Sequence, residues 1–406
     1  MFIPNDLLKN KKILLGLSGS IAVYKSLELV RLLTKAGADV RVVMSDSAKK
    51  FVTPLSFETL TSNKVLDDTN ESWVNDHNHI KITEWADLFV IAPATANTIA
   101  KLSHAIADNI LLQCVLAYEG EKILCPSANT NMLNNPITQA NIKVLVNTKY
   151  TKVDTQIKEL ACKTVGDGAM AEPTDIFWAS ARALLKNDFF ADRTVIVTGG
   201  GTLEKIDDVR YISNFSSGKM ASSLASALYC RGADVKLIAT RFEDNLPKEI
   251  SISKIESSLQ MQESLIQAIE DSKNKTKKPY LFMAAAVSDY IPKTMQTGKL
   301  KKDSLGESFN LSLKQAPDIL SSLDKDSIVS IGFKAEIDKV NAYKNAEKSL
   351  ISKNLDAVCL NILKDSSSFG TDTNKIEFIT KDSTKSIPSS DKLSLSFKIL
   401  EYAENL

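Results

Sequence analysis

Short apolar runs rich in β-branched residues alternate along the chain with longer stretches of helical period, and one such alternation occurs twice. Lys12 to Leu17 (KILLGL) predicts a buried strand, Gly16 to Ser20 a turn, and Ile21 to Ala36 a helix with Leu29, Leu32, Leu33 and Ala36 on one stripe. Gly37 predicts the end of that helix, and Ala38 to Met44 the next strand. The layout returns with a strand at 193–198, three glycines, a helix near 216–230, Gly232 and a strand at 233–238. Both copies carry the tetrapeptide GADV after the helix, starting at Gly37 and at Gly232. Leu88–Ala92, Lys122–Cys125, Tyr280–Ala285, Ile328–Phe333 and Leu355–Leu360 predict further strands, 174–186 a closing helix, and 187–193 a short link. Strands that alternate with helices predict parallel sheets with ligands at the strands' carboxyl ends. The expected fold is α/β, with two Rossmann-like domains at 1–190 and 191–406.

The length of 406 residues suits two domains, each with a core of its own. Lysine and arginine number 50 against 49 acids, a net charge of +1, which gives no ground for a nucleic-acid or acidic-membrane partner. The opening MFIPNDLLKNKK lacks the apolar core of a signal peptide, and no run reaches the roughly 20 apolar residues of a membrane span. The five cysteines are scattered with no CxxC, so neither a zinc site nor a disulfide framework is expected. The expectation is a cytoplasmic protein.

In the first half, the loops at predicted strand ends are small and polar: Ser18-Gly19-Ser20, Ser45 with Ser47, and Thr95 with Asn97. Backbone N–H groups and hydroxyls there suit a bound phosphate. Of the three histidines, His79 stands just before the apolar alternation Ile80-Lys81-Ile82, at an element start where a general base could be displayed. Five motifs then fall in order: Ser18-Gly19-Ser20-Ile21-Ala22-Val23-Tyr24-Lys25; His79-Ile80 ahead of Trp85-Ala86-Asp87; Ala92-Pro93-Ala94-Thr95-Ala96-Asn97-Thr98; Pro126-Ser127-Ala128-Asn129-Thr130-Asn131-Met132; and Ala161-Cys162 followed by Gly166-Asp167-Gly168-Ala169-Met170. This half resembles the flavin-dependent cysteine decarboxylases. The resemblance implies a flavodoxin-like fold that binds FMN and assembles as trimers, with the flavin near a subunit contact. It implies His79 as catalytic, Asn129 (with Met132 nearby) on the substrate, and Cys162 on a flap covering it. Lys163-Thr164 and Ala169 depart from the family's usual flap.

In the second half, Thr198-Gly199-Gly200-Gly201-Thr202 is not GxGxxG, and Glu204, Asp207 and Asp208 come too soon after it for a ribose-binding acid, so an NAD site is not expected. Arg210, Asn214, Ser216, Ser217 and Lys219 gather at a probable helix start and suit a phosphate or carboxylate. With Met283-Ala284-Ala285-Ala286-Val287-Ser288-Asp289-Tyr290, Lys299, Lys301-Lys302, Ala316-Pro317-Asp318-Ile319, Gly332-Phe333-Lys334-Ala335-Glu336, Lys353-Asn354-Leu355-Asp356 and Phe369-Gly370, this half resembles the phosphopantothenate–cysteine ligases. That resemblance implies CTP, Mg2+, an acyl-cytidylate and a dimeric contact. Asn214 and Arg210 would handle the substrate and Lys299 the cytidylate-forming step. Met283, Ala284, Ala285, Asp289, Ala316, Pro317, Asp318, Ile319, Phe333 and Lys353 would bind CTP. Ser349 stands where relatives often carry a lysine, with Lys348 beside it.

Together the halves resemble the bacterial bifunctional phosphopantothenoylcysteine decarboxylase/phosphopantothenate–cysteine ligase family of coenzyme A synthesis. Trimeric and dimeric contacts combined would give a homo-oligomer as large as a dodecamer. The competing reading is a flavin-binding relative that scaffolds or regulates without turnover. Against it, His79, Asn129, Cys162, Asn214 and Lys299 occur together, which a binding module does not require.

Overall fold

The structure, a computed structural model, describes residues 3–161, 163–273, 275–301, 307–365 and 370–406. Cys162, Lys302 and Phe369 of the motifs above lie outside them. The chain divides into two compact units, residues 3–185 and 186–406.

In the first unit the strands are β1 (Lys12–Leu17), β2 (Asp39–Met44), β3 (Leu66–Asp67), β4 (Leu88–Ala94), β5 (Lys122–Pro126) and β6 (Tyr150–Lys152). They form one sheet in the order β3-β2-β1-β4-β5-β6, every neighbouring pair parallel. Every residue of β4 is buried, as a central strand covered by helices on both faces requires. The helix Val23–Lys35 buries Val23, Leu29, Val30 and Leu33, each contributing about 1.5–3 kcal/mol relative to exposure. Leu32, expected on that stripe, is only half-buried; the buried face instead includes Ser26, which donates to the Ala92 carbonyl at 2.7 Å. The segment Ile80-Lys81-Ile82 is not extended. Asn78 accepts from the amides of Ile80 and Lys81 and starts the helix His79–Trp85. A hairpin, β7 (Gln156–Glu159) with β8 (Val165–Ala169), precedes the closing helix Pro173–Leu185.

In the second unit β9 (Thr194–Gly199) leads to a two-stranded ribbon, β10 (Glu204–Lys205) and β11 (Tyr211–Ile212). Then come the helix Lys219–Cys230, β12 (Asp234–Ala239), β13 (Ser251–Lys254), the helix Ser258–Glu270 and β14 (Tyr280–Met283). β15 (Tyr290–Pro292) and β16 (Leu313–Gln315) pair outside the main sheet, and β17 (Val329–Glu336), the helix Ala342–Ser352 and β18 (Ala357–Ile362) follow. β19 (Thr373–Ile379), β20 (Thr384–Asp391) and the helix Lys392–Ala403 complete the unit. Its sheet runs β13-β12-β9-β14-β17-β18-β19-β20, parallel up to β18 and antiparallel beyond.

The two units repeat one plan. β1 lies between β2 and β4 as β9 lies between β12 and β14. Both GADV glycines end their helices alike: Gly37 (φ 91) donates to Thr34 O and Ala38 to Leu33 O, while Gly232 (φ 93) donates to Tyr229 O and Ala233 to Leu228 O. Among the described residues, no helix is long and apolar enough to cross a membrane.

Candidate active sites

The first unit carries a cleft of about 540 Å3 past the carboxyl ends of β1 and β5. Ser20, Ser127 and Asn129 are its polar rim, Ile21 and Tyr24 part of its apolar wall, and the hairpin residues Leu160, Ala161 and Gly168 its cover. The Asn129 carboxamide is fixed by accepting from the Asn131 amide at 2.9 Å. The hairpin rests directly on this loop, since Ala128 donates to Gly168 O at 3.1 Å. Gly168 has φ 137, and a Cβ there would sit 2.1 Å from Ala128 O, so no other residue fits without lifting the hairpin. Lys25 ties down its far end, donating to Met170 O at 3.1 Å and to Glu172 Oε1 at 3.2 Å, and Lys158 also pairs with Glu172.

The expected phosphate-binding hydroxyls have more varied tasks. Ser18 Oγ donates to Pro93 O at 2.7 Å and Ser45 Oγ to Leu17 O at 3.2 Å, so these two brace the strand-end loops instead of pointing a donor outward. Gly19 packs against Ser47, where a Cβ would approach to 2.4 Å. Ser20 Oγ lies 3.0 Å from Ser127 Oγ, at the cleft. Thr95 caps the helix Ala96–Ser103, with Asn97 exposed in its first turn. Met132 is 54% exposed and is not among the residues lining the cleft.

His79 does not line this cleft either. Its Nδ1 lies 2.6 Å from Glu71 Oε1 and its ring meets Trp73 edge-on at 5.6 Å. A carboxylate at Nδ1 orients the imidazole and leaves Nε2 for a proton. Sequence reasoning passed over Glu71, whose signal was no more than an acid eight residues before a histidine.

In the second unit a cleft of about 460 Å3 lies past the carboxyl ends of β14 and β17. Met283, Ala285, Asp289, Ala316, Pro317, Asp318, Ile319, Phe333 and Lys353 all line it, brought together from four separate stretches of sequence. Ala284 lines an adjoining cavity. Lys353 Nζ lies 3.1 Å from Asp318 Oδ2. Burial acts against the charge on Asp318, yet the Lys353 ammonium and the Ser321 amide hold its carboxyl below the usual range. Ser349 is half-buried and Lys348 exposed. Close by, the Lys325 ammonium is buried with no hydrogen-bond partner, and burial pushes its pKa down to about 8. Asn214 Nδ2 donates to Val287 O, on the cleft wall, at 3.0 Å.

Lys299 is exposed on a loop held by acids that the sequence could only exclude from a ribose role. Asp207, buried, accepts from Arg210 Nη2 at 2.6 Å and from the amides of Val209, Arg210 and Leu300. The Arg210 guanidinium, with these amides, holds its carboxyl far below the usual range. Asp208 accepts from the Gly298 amide at 2.6 Å, so both neighbours of Lys299 are fixed. Arg210, expected on the substrate, also bridges Asp207 and Leu300 O. Among the described residues, no group of three or more His, Cys, Asp or Glu side chains could hold a metal ion.

Both units are doubly wound α/β folds, each with a cleft past the carboxyl ends of its parallel strands, the place where this class of fold takes its ligands. The Flavoprotein family matches residues 1–184, and the DNA/pantothenate metabolism flavoprotein C-terminal domain matches residues 190–406. The coenzyme A biosynthesis bifunctional protein CoaBC of Bacillus subtilis (strain 168) is 37% identical over 409 residues, 97% of each chain. Its counterpart in Escherichia coli (strain K12) is 34% identical over 405 residues, again 97% of each. A crystal structure of the C-terminal domain of a CoaBC protein is 28% identical, covering 54% of this chain and 97% of its own, with a TM-score of 0.44. The chain belongs to the CoaBC family of bifunctional coenzyme A biosynthesis proteins.

Proposed function

We propose that the second unit joins L-cysteine to 4′-phosphopantothenate with CTP, and that the first decarboxylates the product to 4′-phosphopantetheine with FMN. The observation that carries this reading is the convergence of Met283, Ala285, Asp289, 316–319, Phe333 and Lys353 on one cleft, while the first unit carries a cleft lined in part by its hairpin. Both activities belong to coenzyme A biosynthesis, and we place them in the cytoplasm.

A carboxylate becomes an acyl donor only when its oxygen gains a good leaving group. The substrate carboxylate attacks the α-phosphorus of CTP and pyrophosphate departs. The cysteine amine then attacks the acyl carbon of the resulting acyl-cytidylate and releases CMP. Lys299, presented by the Asp207–Asp208 clamp, offsets charge on the α-phosphate, and Asn214 holds the acyl group. Mg2+, a hard cation, would take triphosphate oxygens among its ligands.

The first cleft, apolar-walled with a few polar rim groups, fits a planar aromatic cofactor with a polar edge. FMN, when bound, would take a hydride from the thiol-bearing carbon, which gives the adjacent carboxylate an electron sink, and would return that hydride once CO2 has left. Asn129 fixes that carboxylate, and His79, oriented by Glu71, moves a proton at Nε2. Cys162 returns a proton after CO2 has left. His79 stands apart from the Asn129 cleft within one chain, and Trp73 and Val74 beside it are exposed. Both features support a homo-oligomer in which copies complete each other's sites, trimeric at this unit and dimeric at the other.

The test incubates purified protein with 4′-phosphopantothenate, cysteine, CTP and Mg2+ and identifies products by mass. 4′-Phosphopantetheine, CMP and pyrophosphate are expected. Phosphopantothenoylcysteine that accumulates without CO2 release would leave a ligase alone.

A further inference from the structure

Lys325 lies in the turn between Leu323 and β17, and its ammonium is buried with no hydrogen-bond partner. The chain is pinned on both sides of it, since Leu320, Leu323 and Ile328 all belong to the apolar core of the second unit. Two acids act on this charge, Asp356 and then Asp318, and neither bonds to it. Asp356 is committed elsewhere: its Oδ2 accepts from the Ser330 amide at 2.7 Å and from Ser330 Oγ at 3.3 Å. Asp318 accepts from the Ser321 amide at 3.3 Å through Oδ1, and its Oδ2 faces Lys353 Nζ at 3.1 Å. The acids next to Lys325 in sequence, Asp324 and Asp326, are exposed, and Asp324 lies 3.7 Å from Lys273 Nζ.

Asp318 is thus within the field of two ammonium groups. Lys353 is paired with it and lines the nucleotide cleft; Lys325 is unpaired and is not part of that lining. An unpaired buried charge is destabilising, and burial pushes the Lys325 pKa down to about 8 against the pull of the two acids. A rearrangement that gives Lys325 a carboxylate offsets that cost. The chemistry of the ligand supplies the reason for one. An anionic oxygen that bonds Lys353 comes up against the Asp318 carboxylate, and two negative groups on one ammonium repel. Asp318 then needs another cation, and Lys325 has a charge that is not committed.

We propose that Lys325 is a positioning residue of the nucleotide cleft, which pairs with Asp318 when Lys353 turns to an anionic oxygen of the nucleotide. The proposal rests on the CTP-dependent ligase reading. Lys325 touches no substrate; it acts through Asp318 and releases Lys353 from a competing partner. The exchange carries a proton signature. The charged groups that face Lys325 are Asp318, Asp356 and Lys353. Asp356 keeps its Ser330 bonds, Asp318 comes closer, and the like charge of Lys353 moves off, so the Lys325 pKa rises. At pH above about 8 the chain therefore takes up protons as the nucleotide binds. Below about pH 7 Lys325 is charged in both arrangements, and no uptake follows.

Calorimetric titration of the full chain with CTP, at about pH 8.5 in two buffers of different ionisation enthalpy, reads that uptake. Wild type is expected to take up a fraction of a proton per CTP bound, and Lys325→Met none. In Lys325→Met the affinity and KM for CTP are expected to worsen about tenfold while kcat stays within about twofold, the pattern of a lost ground-state contact. Repacking of the turn alone would weaken binding and leave the proton uptake as it is. Equal uptake by the two proteins, or an unchanged CTP affinity, overturns the assignment. If Lys325→Met does not fold, the wild type carries the test, and an absence of uptake at about pH 8.5 overturns it. A wild-type chain that binds no CTP at all overturns the ligase reading itself, which the proton measurement on a binding chain does not.

Discussion

At His79 the 2.6 Å contact with Glu71 fixes which ring nitrogen faces outward. Glu71→Gln keeps the shape of the contact but loses its charge and can leave the wrong tautomer. Single-turnover CO2 release should then fall about 10²-fold, the low end for a misplaced acid–base group, with ligase turnover unchanged; an unaltered rate would remove Glu71 from the site. Lys325 gives a second prediction. Its folded pKa of about 8 lies below the ordinary 10.5, so between those values the unfolded chain binds the extra proton. Stability of the second unit should therefore rise with pH across that window and be lowest below it. Lys325→Met should raise stability at neutral pH and abolish the slope, as denaturant titrations at several pH values would show. His79 and Asn129 were legible as candidates from their motifs. Glu71 and Lys325 were not, because each matters only through a neighbour, or a missing neighbour, that folding decides.

Among the elements, the hairpin β7–β8 depends most on one backbone position. Gly168→Ala should cost about 1–3 kcal/mol of local strain, lift the hairpin from Ala128, and slow decarboxylation while ligation persists. Hydrogen exchange across 156–169 should rise in the variant, and unchanged exchange would show that the hairpin tolerates a Cβ there. The identities of β1, β2, β4, β5, β9, β12, β14, β17 and β18 followed from the apolar runs, but their ends did not. β14 stops at Met283, before the expected Ala285, because the Ala285 amide turns to Thr198 Oγ1 and the Ala286 amide to Gly200 O. β17 continues to Glu336, beyond its apolar run, since pairing with β18 extends to Ile362. Hydrogen-bonding partners set those limits, and hydrophobicity does not report them.

For the whole molecule, residues 187–193 are no free link. Asn187 donates to Glu404 Oε1 at 2.6 Å, and Phe190 is fully buried against Tyr280. We therefore expect a fragment of 186–406 to fold and ligate, while one that begins at 191 loses Phe190 and should be less stable. Measured ligase activity and melting temperature of the two fragments would check this; equal stability would place the boundary later. By itself the sequence determined the α/β class and the duplicated βαβ openings, because periodicity, glycine punctuation and short motifs are local. Only the tertiary structure decided which loops share a cleft, and that Asp207, Asp208 and Arg210 together hold the loop that carries Lys299. Those outcomes depend on contacts between residues far apart in the chain, which the order of strands in a sheet creates and no local pattern encodes.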